Sequence, residues 1–450
     1  MNSAFLDHYR CPETFATFTL SGELSEDSGY FRFGPDAICF GQSSSGFRAG
    51  HATDELYDAL TDVALDGAML QLPFSPSEIV ANLRYERYAS ASNRNGKTLH
   101  GDSALRKVYY LVRPLLTVSV RKHLQRLHLR DWNEIPFPGW PVDPTVERIL
   151  EMLLILLLKA HAVDKIPFVW FWPNGFPSCA IMTHDVEALP GRDFCSHLMD
   201  LDDAHGIKSS FQIVPEGRYP VSKGFLNTIQ SRGFEIDIHD LNHDGHLFSD
   251  RERYLRRAER INRYSREYGA AGFRSAALYR NLDWFEALDF SYDMSVPCVG
   301  HLEAQRGGCC SVMPFFIGKI LELPVTTTQD YSLFHILNHY SIDLWKRQLA
   351  LIMEKHGLAS FIVHPDYILE HRARDTYKAL LSYLSQLRSE GKIWIALPRE
   401  VDHWWRERSQ MRLSRRGNKW EIEGPGKERA RVAYASLEED CVVYHLEANS

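Results

Sequence analysis

The feature that most constrains the fold is an alternation of short β-rich runs with helical patterns, which begins at Cys179. Amphipathic stretches at 250–268, 341–356 and 372–390 lie between the runs, and this alternation is typical of parallel α/β proteins. The strand candidates are the eight runs CAIMTH, SSFQIV, FEIDIH, GFRS, FSYDMSV, ILELPVT, SFIVH and IWIAL. So many strands predict a distorted (β/α) barrel of seven to eight strands, in which chemistry gathers at the carboxyl ends of the strands.

The segments on either side of this region have different patterns. A chain of 450 residues is too long for one ordinary core. Residues 1–165 are predicted to form a helical N-terminal domain, with helices at 55–65 and 144–162, the second begun by Asp143 as N-cap and Pro144 at the first helical position. Residues 166–408 form the predicted barrel. Residues 409–450 contain short β-like runs between glycine turns, which predicts a small antiparallel β appendage.

The composition bears on partners and location. The net charge of −7 supplies no general attraction to nucleic acid, and we expect none to bind. The first ten residues, MNSAFLDHYR, lack the basic start and apolar run of a signal peptide. The apolar run at 149–158 is interrupted by Glu151 and is too short to span a bilayer. The eight cysteines form no C-x-x-C pair, which favours reduced thiols and a cytoplasmic protein.

Candidate chemistry begins where the first barrel strand ends. Asp185 and Glu187 are separated by one residue, so their side chains project to the same side of an extended backbone. One carboxylate can then bind a cation while the other stays free as a base. An ordinary solvated loop is the alternative interpretation, because the same pair of acids occurs on many such loops.

Two histidines follow the third strand with the spacing of metal ligands. His239 and His243 are four residues apart, so a helical turn or a compact loop places both imidazoles on one side. Imidazole and carboxylate together are an ordinary Zn²⁺ ligand set, and catalytic zinc sites keep one position open to water. The alternative is a polar loop with surface histidines, a description that fits His246. Glu187, His239 and His243 therefore predict a divalent metal site, with Zn²⁺ as the expected ion.

Four motifs in order resemble a known family. An Asp-x-Glu pair, a His-x-x-x-His pair, a Gly-Phe-Arg strand and a late strand that ends in histidine occur together in residues 165–408. This order is similar to the polysaccharide deacetylase superfamily, the NodB-homology domains that include carbohydrate esterase family 4. The resemblance is to the branch whose first motif is His-Asp-Val-Asp or His-Asp-Val-Glu, here residues 184–187.

The resemblance implies roles for the matching residues. Asp185 matches the catalytic base, Glu187 the metal carboxylate, and His239 and His243 the metal histidines. Arg274 matches the arginine that pairs with the base.

A further match concerns the departing amine. His364 matches the general acid that protonates it. A carboxylate behind His364 would raise its pKa, and both Asp293 and Asp330 are candidates for that partner.

The sequence departs from the family pattern at two places. Glu187 stands where the family usually has aspartate, and residues 275–277 (Ser-Ala-Ala) stand where the arginine motif usually continues with proline. Tyr279, Trp284 and Tyr331 are candidates to stack on a sugar ring, although buried packing explains each of them equally well.

A basic stretch at 106–130 is the remaining candidate contact surface. Its cationic residues are interleaved with Leu, Val and Tyr at near-helical spacing, as in segments that contact an anionic membrane surface or a phosphate-bearing lipid carrier. The alternative is a helix with one solvated cationic face. The cationic residues are Arg106, Lys107, Arg113, Arg121, Lys122, Arg126 and Arg130.

The leading functional hypothesis is a Zn²⁺-dependent hydrolase of carbohydrate metabolism that deacetylates an N-acetylated sugar or polysaccharide precursor. A hydrolase of another non-peptide C–N bond, in a small amide, is the first alternative, and a narrow closed pocket would favour it. A non-catalytic glycan-binding or scaffold protein with a remnant metal site is the second. The presence of Asp185, Arg274 and His364 together argues against the scaffold, because a structural metal site needs none of them.

Overall fold

The computed structural model describes residues 1–46, 48–53, 55–89, 129–417 and 419–447. The basic stretch at 106–130 lies outside the described residues except for its last two positions. Among the helices of the described part, none is both long enough and apolar enough to cross a membrane.

The N-terminal region mixes strands with helices, which differs from the expected helical domain. The predicted helix at 55–65 is only a short 3₁₀ turn, Ala59–Asp62, followed by a strand. Gly67, with a φ of 59°, turns the chain so that this strand pairs with the next one. The end of the predicted helix is therefore a paired strand instead. The elements are helix α1 (Ser3–Tyr9), strands β1 (Phe18–Leu20), β2 (Gly29–Arg32), β3 (Ile38–Gly41), β4 (Ala64–Asp66) and β5 (Met69–Leu72), and helices α2 (Pro76–Arg84) and α3 (Thr145–His161).

Helix α3 was predicted at 144–162 and joins the N-terminal region to the barrel. The helix begins at Thr145 with Pro144 at the N-cap, one residue later than predicted, and Asp143 Oδ1 accepts a hydrogen bond from the Thr145 backbone N–H at 2.8 Å. The buried face of α3 packs in one apolar cluster with residues of the N-terminal region and of the barrel strands, Phe5, Leu72 and Leu358 among them. The N-terminal region and the barrel therefore share a core.

The predicted fold class is confirmed, because the central region is a curled, mostly parallel sheet with helices outside it. Along the sheet the strand order is β12-β13-β11-β10-β9-β8-β7-β14, with β15 also paired to β7, and only the β12–β13 pair is antiparallel. The elements are β7 (Cys179–Val186), α4 (Leu189–Ala204), β8 (Ser210–Ile213), α5 (Lys223–Ser231), β9 (Glu235–His239), α6 (Arg251–Tyr268), β10 (Gly272–Arg274), β11 (Tyr292–Asp293), β12 (Phe315–Ile317), β13 (Ile320–Glu322), α7 (Asp343–Glu354), β14 (Leu358–Ile362), α8 (His371–Ser389), β15 (Trp394–Ala396) and α9 (Pro398–Gln410).

All eight predicted runs contain a strand, and the sequence pattern did not reveal β12. Strands β7, β8, β9 and β14 are buried along their whole length, as expected for a parallel sheet covered on both faces.

Side-chain hydroxyls join the segment after β13 to β14. Thr326 Oγ1 donates to the Leu358 carbonyl at 2.7 Å and accepts from the Ser360 N–H at 2.9 Å. Thr327 Oγ1 donates to the Ser360 carbonyl at 2.7 Å. The two sides of the curled sheet therefore meet along the first half of β14, and the barrel is distorted rather than regular.

The C-terminal strands are antiparallel, as predicted, but they are not a separate appendage. The apolar strand β6 (Lys165–Val169) precedes the barrel and pairs with β18, so the sheet order is β19-β18-β6. Pairing with β18 satisfies the backbone groups that β6 would otherwise leave at an open edge. The C-terminal strands are β16 (Arg412–Arg416), β17 (Lys419–Glu423), β18 (Val432–Glu438) and β19 (Cys441–Leu446).

Candidate active site

The two metal-ligand histidines are brought together by a compact turn after β9. His239 is the last residue of that strand, and Asp240 and His243 both have positive φ angles, of 55° and 54°. Asp and His tolerate this left-handed region better than most residues. The turn folds the chain back so that the centroids of the His239 and His243 rings lie 4.8 Å apart.

Glu187 completes a three-residue set with these histidines at the mouth of the barrel. One potential ligand atom from each of Glu187, His239 and His243 lies within 4.8 Å of the other two. His243 Nε2 lies 2.8 Å from Glu187 Oε1, and His239 Nε2 lies 3.8 Å from the same oxygen. A carboxylate and two imidazoles at this separation have the chemistry to hold one divalent cation.

The surroundings of His239 leave its Nε2, the nitrogen on the side of Glu187, available to a metal. Its Nδ1 lies 3.1 Å from the Arg274 carbonyl, which can only accept a hydrogen bond, so Nδ1 carries the proton. Its Nε2 is buried and makes no hydrogen bond to the described residues. A buried lone pair without a donor is costly, and a bound cation would satisfy it. The residues present therefore fit a divalent metal.

Within the metal set, Glu187 and His243 shift each other's pKa in opposite directions. Burial alone would raise the Glu187 pKa, but the charge of the neighbouring His243 outweighs burial and holds the pKa well below its ordinary value. Burial alone would lower the His243 pKa, but Glu187 outweighs that effect and raises it. Metal ligands must be deprotonated, so cation binding at this set releases a proton from His243 wherever that ring is charged.

Asp185 is held as a carboxylate by a buried arginine. Arg274 Nη1 donates to Asp185 Oδ1 at 2.6 Å and to Thr183 Oγ1 at 2.8 Å, and the Arg274 side chain is fully buried. Burial would raise the Asp185 pKa, but the Arg274 charge, followed by His239, outweighs it, and the pKa lies below its ordinary value. Asp185 Oδ2 lies 3.7 Å from His239 Nε2, so the other oxygen faces the metal set.

His364 faces the same set from β14, with Asp330 behind it. His364 Nδ1 lies 2.6 Å from Asp330 Oδ1, and the His364 backbone N–H donates to Asp330 Oδ2 at 2.7 Å. Its Nε2 lies 3.4 Å from Glu187 Oε1 and 4.0 Å from Asp185 Oδ2. Burial alone would lower the His364 pKa, but Asp330 outweighs it and holds the pKa well above its ordinary value. The ring therefore points a protonated nitrogen at the site near neutral pH.

The structure brings Asp330, and not Asp293, to His364. Asp293 is fully buried and accepts hydrogen bonds from the Ser295 N–H at 2.7 Å and the Ser295 hydroxyl at 2.9 Å. Its carboxyl neighbours that of Glu322, and burial raises the pKa of both groups. Asp293 lies on β11, which pairs with β10 and β13, and its carboxyl contacts Ser295 and neighbours Glu322, whereas the carboxyl that contacts His364 is that of Asp330.

The three aromatic candidates fall in different places. Tyr331 packs on Tyr367 at 5.4 Å between ring centroids, and Tyr367 packs on His364 at 4.7 Å. Trp284 packs on Tyr254 of α6 at 5.3 Å, so the structure gives it a packing role between a helix and the barrel. Tyr279 is only 7% exposed and follows the turn after β10.

Sequence reasoning missed three residues near the site. Tyr367 lies three residues after His364, and that spacing was its only signal. Arg218 Nη2 lies 3.4 Å from His243 Nδ1. Glu303 is buried, accepts a hydrogen bond from Gln329 at 2.5 Å, and has its pKa raised to about 7 by burial. The last two lie on loops without a motif.

Comparisons with known proteins extend only to solved structures, since no family model and no curated protein matches the sequence. A Mycobacterium smegmatis protein classed as a polysaccharide deacetylase is 16% identical, with 53% of this chain and 93% of that chain covered and a TM-score of 0.42. PuuE allantoinase is 12% identical, with 52% and 92% covered and a TM-score of 0.42.

A third structure is the peptidoglycan deacetylase PdaC from Bacillus subtilis. It is 9% identical, with 50% of this chain and 90% of that chain covered and a TM-score of 0.33. Likeness at this level concerns only the general course of the chain, and the function must be argued from the site itself.

Proposed function

We propose that this chain is a metal-dependent hydrolase that deacetylates an N-acetylated sugar or polysaccharide precursor, with Zn²⁺ as the metal. The observation that carries the proposal is a convergence of three units at the mouth of the barrel. These are the set Glu187, His239 and His243, the Asp185–Arg274 pair, and the His364–Asp330 pair. A structural metal site would need only the first unit.

Glu187, His239 and His243 would hold the cation. When bound, a divalent cation supplies Lewis acidity, which polarises an amide carbonyl and lowers the pKa of water towards about 7. Asp185 then accepts the proton of the attacking water. Arg274 keeps that carboxylate ionised and fixes one of its oxygens, so the other stays directed at the site.

His364 supplies the proton that the departing amine needs. An amine leaves a tetrahedral carbon easily only when its nitrogen is protonated, so a positioned acid lowers the barrier. Asp330 keeps the His364 ring protonated and fixes its orientation through Nδ1, which leaves Nε2 to donate. Base and acid are thus separate groups with pKa values moved in opposite directions.

The substrate class follows from the motif resemblance. The four motifs resemble the polysaccharide deacetylase superfamily, and that resemblance implies an N-acetylated glycan as the substrate. We therefore propose an N-acetylated glycan as the partner of this site, and a phosphate-bearing lipid carrier as a further partner through the segment at 106–130.

Metal analysis and acetate release test the proposal together. The purified protein is expected to hold about one zinc per chain and to release acetate from N-acetylated chitooligosaccharides. Asp185→Asn should lower turnover by about 10² to 10⁴ with nearly unchanged metal content, because Asp185 acts as the base rather than as a ligand. Asp193→Asn is the matched control, since Asp193 is exposed and pairs with Arg192 away from the metal set.

Three results would contradict the proposal or part of it. Full activity of Asp185→Asn would remove the base from the mechanism. Loss of metal in that variant would make Asp185 a ligand. A metal-loaded wild type that hydrolyses small amides but no acetylated glycan would overturn the substrate class.

A further inference from the structure

A buried ion pair connects the N-terminal region to the mouth of the barrel. Glu86 follows α2, and its carboxylate accepts hydrogen bonds from both Nε and Nη2 of Arg280, the first at 2.6 Å. The Arg280 side chain is fully buried, and the Glu86 side chain is 8% exposed. Two charges removed from water persist only where the geometry is close and further hydrogen bonds satisfy them. The geometry of this contact between distant parts of the chain is therefore tightly constrained.

The same arginine holds a strained turn beside the catalytic base. Arg280 Nη1 donates to the Leu278 carbonyl at 2.8 Å. Ala277 and Leu278 have φ angles of 53° and 52°, which residues with a side chain rarely adopt. Such a backbone persists only when its surroundings hold it. The turn lies just after Arg274, which binds Asp185.

The turn also touches the acid side of the site. Leu278 packs in a small buried cluster with Val325 and Ile362. Ile362 lies two residues before His364, so the two side chains point to the same face of the chain. A shift of the turn would therefore reach both sides of the site.

Glu86 also holds the loop 299–308, which we call the wall loop. Its Oε1 accepts a hydrogen bond from the Gly308 N–H at 2.6 Å, and Tyr88 donates to the Gly308 carbonyl at 2.6 Å. Gly307 has a φ of 122°, and a Cβ there would lie 2.6 Å from Glu86 Oε1. A side chain there would adopt this φ only with strain and would have to displace the Glu86 carboxylate, so the loop packs closely on Glu86.

The middle of the wall loop lies beside the His364–Asp330 pair. Within it, Glu303 accepts a hydrogen bond from Gln329, the residue before Asp330. Gln305 exchanges hydrogen bonds with the Arg280 backbone, at 3.0 Å to its N–H and 3.2 Å to its carbonyl. The wall loop and the strained turn are thus tied to each other, and both are tied to Glu86.

We propose that Glu86 is a positioning residue for the active site, through which the N-terminal region sets the strained turn and the wall loop against the bound glycan. The inference rests on the proposed function for the identity of the substrate. Glu86 touches neither the metal set nor the reacting atoms, and it acts through Arg280 and Gly308. The N-terminal region is therefore part of the enzyme's working site rather than an independent domain.

Glu86→Gln tests this inference in the full-length protein. The substitution keeps the shape of the side chain and leaves Arg280 without its counter-charge. We expect kcat/KM for acetylated chitooligosaccharides to fall about 10- to 100-fold, because a small displacement of a positioning group costs that much. Zinc content should be unchanged. Glu78→Gln is the matched control, because the Glu78 carboxylate contacts Asn82 and Gln42 within the N-terminal region.

A second substrate separates positioning from loss of folded protein. The small activated ester 4-nitrophenyl acetate has no sugar ring for the wall loop to position, so its hydrolysis should fall much less than that of the glycan. A variant that only lowers the folded fraction would reduce both rates by the same factor, and equal reductions would overturn the inference.

Amide hydrogen exchange tests the inference without any enzyme activity. In Glu86→Gln, exchange in 276–281 and 299–308 should accelerate by about tenfold or more, with β7 and β9 unchanged, because local opening follows the loss of local contacts. Unchanged exchange, or equal acceleration throughout the barrel, would overturn the inference. If the wild type hydrolyses no glycan but this local pattern appears, the proposed function fails and the positioning role of Glu86 stands.

A double variant covers the case in which Glu86→Gln does not fold. Glu86→Leu with Arg280→Met removes both charges, which is much less costly than leaving one buried alone. It should fold and still show faster exchange in the turn and the wall loop. Wild-type exchange and wild-type glycan turnover in this double variant would contradict the inference.

Discussion

Two buried histidine–aspartate pairs lie near the mouth of the barrel. They differ in what the second ring nitrogen of the histidine contacts. His184 Nε2 lies 3.1 Å from Asp202 Oδ2, and its Nδ1 lies 2.9 Å from the Val363 carbonyl. His364 Nδ1 lies 2.6 Å from Asp330, while its Nε2 faces Asp185 and Glu187. Both nitrogens of His184 are occupied by the scaffold, whereas His364 keeps one for chemistry.

The surroundings of the two aspartates support the same division. Asp202 is fully buried and also accepts hydrogen bonds from Ser209 at 2.7 Å and from Tyr377. This network ties β7 to α4 and α8 behind the site. Burial and a carboxylate partner are therefore common to His184 and to the proposed acid His364, and the two differ in whether Nε2 contacts the scaffold or faces the candidate site.

The largest expected effect comes from His364→Ala, which removes the proton donor. Turnover of amide substrates should fall by about 10² to 10⁴. An activated acetyl ester should lose much less, because its leaving group departs without protonation. The measurement is kcat on a chitooligosaccharide and on 4-nitrophenyl acetate. Equal losses on both substrates would mean that His364 orients the substrate or supports the pocket instead.

His184→Ala should mainly affect stability. It leaves Asp202 buried without its partner, which should lower the free energy of unfolding by about 3 to 5 kcal/mol. Turnover per folded molecule should stay within a few-fold of the wild type, since His184 has no nitrogen directed at the substrate. Denaturant unfolding and activity normalised to folded protein check both points. A loss of turnover as large as that of His364→Ala would erase the distinction between the two pairs.

Asp330→Asn sharpens the comparison through pH. Asp330 raises the His364 pKa, and a general acid must be protonated, so activity falls as pH rises through that raised pKa. Without the Asp330 carboxylate the His364 pKa drops, so activity begins to fall at a lower pH. Above the new pKa, activity declines about tenfold for each pH unit. Asp293→Asn is the control, and it should leave this limb of the pH profile in place. If the fall in activity moved to lower pH in Asp293→Asn and not in Asp330→Asn, Asp293 would be the carboxylate that raises the His364 pKa.

The sequence was informative where function depends on residues close together in the chain. Asp185 and Glu187 share one strand end, and His239 and His243 share one turn, so their spacing alone predicted that each pair would lie side by side. The alternation of strands and helices predicted the barrel for the same reason, since each element has its own hydrophobic period. Strand β12 was missed because the run Phe315–Ile317 is short and belongs to a hairpin outside that alternation.

The flanking regions were predicted less well because their elements depend on partners far away in the sequence. Strand β6 forms because β18, which lies more than 250 residues later, pairs with it. Tyr9 and Tyr444 lie near opposite ends of the chain, and their hydroxyls are 2.9 Å apart. Strand propensity and hydrophobic period describe one segment at a time. Neither predicts which distant strand will pair with that segment.

The sequence by itself determined the class of the barrel and the candidate metal ligands, because hydrophobic period and ligand spacing are properties of neighbouring residues. Only the tertiary structure decided that Asp330 and not Asp293 stands behind His364, because the choice depends on which segments become neighbours in the fold. It alone also paired Glu86 with Arg280 across 194 residues. A buried charge needs a partner, but the identity of that partner is set by the packing of the whole chain.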